Sequence, residues 1–198
     1  MTAVRKTQLA VTPKAARFAI RSERDSDVAA RDALLDAAFG ENRQQRTCQR
    51  LRDGRAAAEG LSLSAVRDGK LVGTLRLWHV SAGGIPALVL GPLAVEAASR
   101  KLGIGAALIN HALAAAGARG HGAVILLGDA PYYARFGFSA EKTSALSLPG
   151  AFERDRLLAL ELCAGALDGA WGMIVPTGAA TAVKPVRVRR TRFAPQVA

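Results

Sequence analysis

The amino-acid sequence predicts an α+β (mixed α/β) fold, in which a central, mostly antiparallel sheet carries helices on its faces. Three short runs between residues 61 and 95 alternate in polarity or are apolar, and turn signals separate them, which is typical of an antiparallel meander. Segments with helical spacing come before and after this meander. The helix after it leads to a further apolar strand, which should lie parallel to the last meander strand.

The first elements are a strand and a helical region. Residues 16–21 alternate in character and predict the first strand, and the polar residues 25–27 can cap a helix over residues 28–39. Gly40 ends that helix, and a more polar second helix is expected over about residues 42–52. The core side chains expected in the first helix are Val28, Leu34, Leu35, Ala38 and Phe39.

The meander is defined by its turns. Asp68-Gly69 is a strong hairpin signal, and "SAGG" marks the second turn. Gly91-Pro92 interrupts an otherwise apolar strand, and because proline lacks an N–H donor and glycine weakens pairing, we expect a bulge or splay there. The three strands are expected at residues 61–66, 71–80 and 86–95.

The remaining chain alternates helices and strands. A helix is predicted from about residue 103 to 118, and the apolar run at residues 122–129 predicts a strand. "APYYARF" predicts a short helix with Asp129 as its cap, and Gly137 ends it. Late strands are expected at residues 156–162 and within "GALDGAWGMIVP".

The length of 198 residues predicts one domain with short tails. We expect a flexible basic arm at residues 1–15, the domain at residues 16–177 and a basic tail at residues 178–198. The acid-free start also resembles a mitochondrial transit peptide, but a loose arm is the preferred interpretation. The chain has no run of about 18 uncharged apolar residues, so we expect no transmembrane helix.

The formal net charge is +11, and the segment "KPVRVRRTR" holds five bases and no acid. Such a tail could bind nucleic acid or a membrane surface, but a solvated end is the simpler interpretation, and nucleic acid is not an expected partner. Cys48 and Cys163 stand far apart in sequence, without a C-x-x-C pair or a metal-spaced histidine cluster. We therefore expect no metal and no disulfide, and two free thiols suit the reducing cytoplasm.

The segment "RKLGIG" stands directly before the predicted helix at residue 103. Free N–H groups and the positive end of the dipole collect at a helix N-terminus, and glycine lets a phosphate approach that backbone. Arg100 and Lys101 add positive charge. A nicotinamide dinucleotide site is the rival interpretation. Leu108 at the third glycine position, the distance of Gly103 from the strand and the antiparallel meander all count against it.

The longer pattern is more specific. "LAV" precedes "RKLGIG", which has the form Arg-x-x-Gly-x-Gly, and "YYARFGF" follows about 28 residues later with the form Tyr-x-x-x-Gly-Phe. In these motifs, and in element order over most of residues 16–165, the sequence resembles the GNAT superfamily of N-acetyltransferases. "GDAPYYARFGF" looks like uncharacterised bacterial members. The resemblance implies a GNAT-like sheet with a splayed parallel strand pair, and acetyl-CoA as donor.

The resemblance also assigns roles to residues. It implies that the donor's pyrophosphate lies on the Arg-x-x-Gly-x-Gly loop, that its pantetheine runs along the splayed strand, and that Tyr133 is the general acid for the leaving thiolate. The acceptor amine would attack directly, without a covalent enzyme intermediate. The residues implied to contact the donor are Leu93, Ala94, Val95, Arg100, Lys101, Leu102, Gly103, Ile104, Gly105, Ala106, Asp129, Tyr133 and Phe136.

The general base and the acceptor stay open at this point. His79, Glu96 and Asp129 are alternatives for the base, and deprotonation through water is another. The acceptor site should involve residues 28–52 and the segment after residue 138, with Trp78, Arg46 and Phe152 as expected lining. The acceptor itself is a small-molecule or peptide amine.

Two other classes of function compete with the enzyme. One is a non-catalytic acyl-CoA-binding or sensor protein on the same fold, and the other is a nucleic-acid-binding protein that acts through its basic tails. Charge alone supports the latter, since the chain carries no nucleic-acid-binding motif. A homodimer is an open alternative, because many such folds dimerise, and the sequence indicates no interface.

Overall fold

The structure is a computed structural model that describes residues 18–181. Within this part of the chain there are three α-helices: α1 (Val28–Phe39), α2 (Ile104–Ala118) and α3 (Ala130–Tyr133). The eight strands of the same part are β1 (Ala19–Ser22), β2 (Ser62–Arg67), β3 (Lys70–Ala82), β4 (Ile85–Val95), β5 (Ala123–Leu127), β6 (Leu146–Ser147), β7 (Leu157–Glu161) and β8 (Gly172–Pro176).

The sheet is mixed, and it confirms the predicted architecture. Its main path has the order β1-β2-β3-β4-β5-β7. The meander of β2, β3 and β4 is antiparallel, whereas β4 and β5 are parallel, as the strand–helix–strand order predicts. Short β6, which the sequence analysis missed, pairs with β8, and β8 pairs with the second half of β3.

The parallel pair of β4 and β5 opens into a splay. Pairing is confined to Leu88 with Val124 and Val89 with Ile125. Beyond these pairs both strands continue, β4 to Val95 and β5 to Leu127, without further pairing to each other. The gap between them therefore exposes strand edges inside the protein, where a ligand can take the place of a missing strand.

The splay coincides with a bulge in β4. Leu75 pairs with Leu93, but two residues further along β3, Leu77 pairs with Leu90. Gly91 and Pro92 therefore lie opposite a single residue, which is the geometry of a β-bulge. The expected defect at Gly91-Pro92 is confirmed.

Alternation along the central strands builds a hydrophobic core on each face of the sheet. Successive residues of β4 and β5 belong to different cores, as period-two geometry requires. Helix α2 covers one face through Ile104, Leu108, Ile109, Ala112 and Ala116. The opposite core includes Leu51, Trp78, Val80, Val89, Ile125 and Ile174.

The region between residues 28 and 52 departs from the sequence prediction in two ways. Val28 is exposed rather than part of the core, because α1 turns Leu35 inward together with Arg31, whose charge is paired with Glu23 at 2.5 Å. The prediction of a single second helix over about residues 42–52 was also wrong. Two 3₁₀ helices, Glu41–Gln45 and Thr47–Leu51, flank Arg46, whose backbone is extended. The segment lacks an apolar stripe long enough to hold one α-helix against the core.

Asp27 stabilises the connection into α1. Its carboxylate is nearly buried and accepts hydrogen bonds from both Nη atoms of Arg21 at 2.6 and 2.9 Å, from the Arg24 N–H at 2.9 Å and from the Ser64 hydroxyl at 3.0 Å. These donors, the Arg21 guanidinium first, hold the pKa of Asp27 well below its ordinary value. Asp27 therefore does not cap α1 with its side chain. Instead, its hydrogen bonds link β1 and β2 to the start of α1.

We expect Asp27→Asn to lower the free energy of unfolding by roughly 2–3 kcal/mol at pH 7, because it breaks a nearly buried ion pair. Since the pKa of Asp27 is lowered in the folded state, its contribution is complete above the unfolded pKa of about 3.9 and is lost as the pH falls further. Urea denaturation at pH 7 and pH 3 measures both values. The control is exposed Asp25→Asn, and equal destabilisation by the two variants would contradict this role.

The chain remains hydrogen-bonded beyond the predicted boundary at residue 177. The Ala179 carbonyl accepts from the Ala56 N–H at 2.7 Å, the Thr181 N–H donates to the Gly54 carbonyl at 2.9 Å, and Arg55 donates to the Gly178 carbonyl. The first residues of the predicted tail thus pack against residues 54–56. The predicted basic arm and the rest of the tail lie outside the described residues.

Truncation of the C-terminus should show how much this contact contributes to the free energy of unfolding. We expect a chain that ends at Pro176 to unfold about 2 kcal/mol more easily than one that ends at Thr181, because the Ala179, Thr181 and Gly178 hydrogen bonds are lost. Thermal denaturation of the two truncated proteins, side by side, measures the difference. Identical melting temperatures would mean that residues 177–181 contribute nothing to stability.

Residues 18–181 lack three further features: a membrane-spanning helix, a metal-binding cluster and a disulfide. None of the helices there is long and apolar enough to cross a membrane. The same residues contain no group of three or more histidine, cysteine or acidic side chains that could hold a metal ion. Cys48 is partly buried and Cys163 is exposed, and both are free thiols.

Candidate active site

A cavity of about 540 Å³ opens where β4 and β5 separate. The bulge of β4 forms one side, from Val89 to Leu93, and the end of β5 with the start of α3 forms another, from Leu127 to Asp129 with Tyr133. The 3₁₀ segment between Phe39 and Arg52 closes the third side. A second cavity of about 260 Å³ adjoins the first and shares Arg43, Gln49, Arg52 and Pro92 with it.

The glycine loop forms a cluster of free N–H groups at the start of α2. Lys101 and Gly103 have left-handed backbone, with φ of 64° and 78°. The Ala107 N–H is the first of the helix to reach a carbonyl, that of Gly103 at 2.9 Å. The preceding N–H groups, those of Gly103, Ile104, Gly105 and Ala106, lie at the positive end of the helix. This arrangement suits a phosphate group.

Side chains around the loop divide into exposed and buried sets. Arg100 and Lys101 are exposed, as electrostatic attraction of an anion requires, and Leu102 is exposed as well. Ile104 is buried in the core against α2 and the sheet. Ile104 therefore presents only its backbone N–H at the loop.

The edge of β4 that faces the splay carries free backbone groups. The Glu96 N–H donates to the Val72 carbonyl on β3 at 2.8 Å. Backbone groups alternate between the two edges of a strand, so Ala94 also faces β3, while Leu93 and Val95 direct their N–H and C=O groups to the other edge. That edge adjoins the gap beside β5. Leu93 and Val95 can therefore pair with an extended ligand that enters the splay.

Tyr133 lies at the inner end of the cavity, and its ring packs on Gly128. A Cβ added at Gly128 would lie 2.8 Å or less from two ring carbons of Tyr133, so only glycine lets the ring occupy this position. The ring also meets Phe138 edge-on at 5.9 Å between centroids. Burial, with smaller contributions from Tyr132 and Asp129, raises the pKa of Tyr133 to about 12.

Tyr132 points to the glycine loop rather than to the inner end of the cavity. A Cβ added at Gly105 would lie 3.2 Å from the Tyr132 hydroxyl and 3.7 Å from Val95. Phe136 packs edge-on against Tyr132 at 5.7 Å and is partly buried. The two neighbouring tyrosines thus serve different ends of the splay.

The three alternatives for the general base lie in different places. Asp129 is exposed and lines the cavity. It follows β5 at the start of α3, but within residues 18–181 its side chain makes no capping hydrogen bond. His79 lies 5.3 Å from His121 between ring centroids, and the exposed Glu96 accepts from the Ser99 hydroxyl. Neither His79 nor Glu96 lines the cavity.

Arginines dominate the wall opposite the bulge. The cavity is lined by Arg43, Arg46, Arg52 and Arg156, of which the sequence analysis named Arg46 alone. Trp78, which was also expected there, is buried, lines the second cavity and donates its indole N–H to the Gly91 carbonyl at 2.6 Å. Phe152 instead packs against the core and under Arg154.

Comparison with known proteins identifies the family. A family model described as an acetyltransferase (GNAT) domain matches residues 58–140. The crystal structure of YhbS, a GNAT family N-acetyltransferase from Escherichia coli in complex with CoA, superposes with a TM-score of 0.70 at 30% sequence identity, and the match covers 84% of this chain and 93% of that one. The chain belongs to the GNAT family of N-acetyltransferases.

Of two further structures, one supports this assignment and the other supports the fold alone. A GNAT family acetyltransferase from Brucella melitensis, solved in complex with acetyl-CoA, is 30% identical over 74% of this chain and 88% of that one, with a TM-score of 0.57. A GNAT family acetyltransferase from Staphylococcus aureus shares the fold at 16% identity, with a TM-score of 0.57 over 74% of this chain and 99% of that one. No curated protein matches the sequence.

In this GNAT protein, the residues named from the sequence fall into two groups. Val95 and the loop from Arg100 to Ala106 follow the outer part of the splay, while Leu93, Asp129 and Tyr133 line the cavity. Gly128, Arg43, Arg52 and Arg156 were missed. Gly128 stands directly before Asp129, but its packing role depends on a ring five residues further along the chain. Arg43 and Arg52 lie on the segment expected to be a regular helix, and Arg156 lies directly before β7.

Proposed function

We propose that this protein transfers an acetyl group from acetyl-CoA to an amine by direct attack in a ternary complex. The observation that carries the proposal is the free edge of β4 at Leu93 and Val95, which connects the N–H cluster of α2 with Tyr133. The Escherichia coli and Brucella melitensis relatives, solved with CoA and acetyl-CoA, support the choice of donor. The acceptor class is a small-molecule or peptide amine.

The shape and the hydrogen-bond donors of the site support acetyl-CoA as the donor. At the outer end, Gly103 and Gly105 leave the helix N-terminus without side chains, and Arg100 and Lys101 add positive charge for a pyrophosphate. Along β4, Leu93 and Val95 offer the alternate N–H and C=O groups that a pantetheine amide chain can match. Acetyl-CoA supplies the acetyl group as a thioester, and these residues would hold it with the reacting end towards the cavity.

The bulge supplies a candidate oxyanion donor. Pro92 has no N–H and so offers no donor at the bulge. The Leu93 N–H is therefore the first free donor after the bulge, and it faces the splay. A donor fixed at this point would stabilise negative charge that develops on the thioester oxygen as the amine attacks.

Tyr133 would supply the proton for the leaving thiolate. Because its pKa is raised to about 12, its hydroxyl stays protonated across the physiological range. A free thiol has a pKa of about 8.5, so a thiolate that leaves without a proton or hydrogen bond is a poorer leaving group. Asp129, alone among the three alternatives in lining the cavity, is the proposed base and acts on the amine directly or through water.

Calorimetric titration with acetyl-CoA, CoA and NADH tests the donor, and thiol release with a panel of amines tests the transfer. We expect micromolar binding of acetyl-CoA and CoA, no binding of NADH, and amine-dependent thiol release. Donor binding without thiol release for any amine would favour the non-catalytic acyl-CoA-binding alternative. Absence of donor binding would overturn the proposal. A cytoplasmic location remains an expectation from the two free thiols.

A further inference from the structure

The wall opposite the β4 bulge carries excess positive charge. Three of the cavity's four arginines, Arg43, Arg46 and Arg52, lie on this wall. The cavity contains one carboxylate, that of Asp129, among the described residues that line it. Two of the four are neutralised by nearby acids. Arg43 binds Asp36 at 2.5 Å, and Arg156 binds Glu153 at 3.3 Å.

Arg52 differs from these two. Its Nε donates to the Cys48 carbonyl at 3.1 Å, and among the side chains that the structure describes no carboxylate lies within 4.0 Å of its guanidinium. Burial, together with the charges of Arg43 and Arg46, lowers the pKa of Arg52. A partly buried guanidinium whose charge is not offset in this way favours an anion from outside.

The guanidinium stands beside the reacting end of the splay. A Cβ added at Gly91 would lie 3.8 Å from Nη1 of Arg52, so this nitrogen adjoins the bulge itself. Arg52 also lines the adjoining second cavity. Arg100 and Lys101, where the donor's pyrophosphate is proposed to bind, lie beyond the C-terminal end of β4 and do not line the cavity.

We propose that Arg52 binds an oxyanion of the acceptor, so that the preferred acceptor is a small amine that carries a carboxylate or phosphate within a few bonds of its nitrogen. This inference rests on the proposed acetyl transfer. A planar guanidinium can bind either oxyanion through two parallel hydrogen bonds, which also fixes the orientation of the neighbouring amine. A free α-amino acid and an aminoalkyl phosphate both have this spacing, whereas a lysine side chain within a protein does not.

Pairs of acceptor amines that differ in their oxyanion isolate the effect of that negative charge on acetyl transfer. Thiol release is measured for three pairs of amines. These are glycine and glycinamide, glutamate and its α-amide isoglutamine, and phosphoethanolamine and ethanolamine. We expect kcat/KM to be roughly 10- to 100-fold higher for the anionic member of at least one pair, as hydrogen bonds to a charged group imply. The carboxylate pairs and the phosphate pair tell the two oxyanions apart.

Arg52→Gln should remove this preference, so that anionic and neutral members react equally, while the KM for acetyl-CoA is unchanged. The matched control is Arg119→Gln at the C-terminal end of α2, since Arg119 is exposed, does not line the cavity and should keep the preference. Equal loss for both members of every pair in Arg52→Gln would overturn the inference and assign Arg52 to the donor or to the fold.

A binding measurement keeps the inference independent of turnover. N-acetylglycine and N-acetylglycinamide resemble products, and calorimetry in the presence of CoA compares them. We expect tighter binding of N-acetylglycine to the wild-type protein and no difference in Arg52→Gln. Equal binding of the two compounds by the wild-type protein together with equal transfer within the phosphate pair, or transfer that favours the neutral amine in every pair, contradicts the inference. Failure of the proposed function would instead appear as no transfer to any amine, charged or neutral.

Discussion

Replacement of Tyr133 by phenylalanine should lower kcat for acetyl transfer by about 10²- to 10⁴-fold, the usual range for a general acid. The change removes one hydroxyl and keeps the ring that packs on Gly128 and Phe138. The affinity for CoA, measured by calorimetry, should change little, because the N–H cluster and the free edge of β4 are backbone groups at other positions. Steady-state thiol release gives kcat.

The matched control is Tyr132→Phe, which removes the hydroxyl beside Gly105 instead. We expect this variant to affect donor affinity more than kcat, since Tyr132 faces the glycine loop. A Tyr133→Phe enzyme that loses donor affinity and kcat in equal measure would show that Tyr133 serves binding rather than proton transfer. Unchanged kcat would remove it from the mechanism altogether.

Gly103→Glu should abolish measurable donor binding, with a loss of at least about 100-fold in affinity. The position has a φ of 78°, which costs an L-residue about 1–2 kcal/mol. The larger effect is electrostatic, because the new carboxylate would lie at the helix N-terminus and compete with the pyrophosphate for the same N–H groups. Calorimetric titration with CoA and acetyl-CoA measures the loss.

Gly120 offers a control with the same backbone cost. It also has a φ of 78°, and like Gly103 it has no heavy atom within 4 Å of a Cβ added there, but it follows the C-terminal end of α2. Gly120→Glu should therefore reduce stability by a similar amount and leave donor binding intact. If both variants lost binding equally, the effect at Gly103 would be a folding defect rather than a lost phosphate site.

Much of the fold could be predicted because local patterns and global packing agree. The turn at Asp68-Gly69 adopts positive φ at both residues, 49° and 76°, as its sequence predicts. The apolar run of β5 and the helix before it fix a parallel pair. Gly91-Pro92 marks the bulge, since neither residue suits a continuous central strand.

The parts that could not be predicted depend on distant contacts. The 3₁₀ segment is held in place by bonds from Thr47 and Arg50 to the carbonyls of Ala151 and Pro149, about a hundred residues away in sequence. Val28 has the helical spacing of a core residue, but the Arg31–Glu23 pair lies on the inward face instead. Arg52 looks like any surface base in sequence, and only the bulge beside it reveals its place at the cavity.

The origin of the cavity walls has an evolutionary consequence. The side of the cavity proposed to hold the donor comes from one continuous stretch, residues 88–138. Its strands, β4 and β5, are held in place by pairing within the sheet. The opposite wall comes from Glu41–Gln45 and Thr47–Leu51, which attach to the rest of the protein through buried Leu51 and through side-chain hydrogen bonds from Thr47 and Arg50 to distant carbonyls. Mutation can therefore change the chemistry of one wall without disturbing the other. A lineage of such proteins can retain one donor while it explores new acceptors, residue by residue.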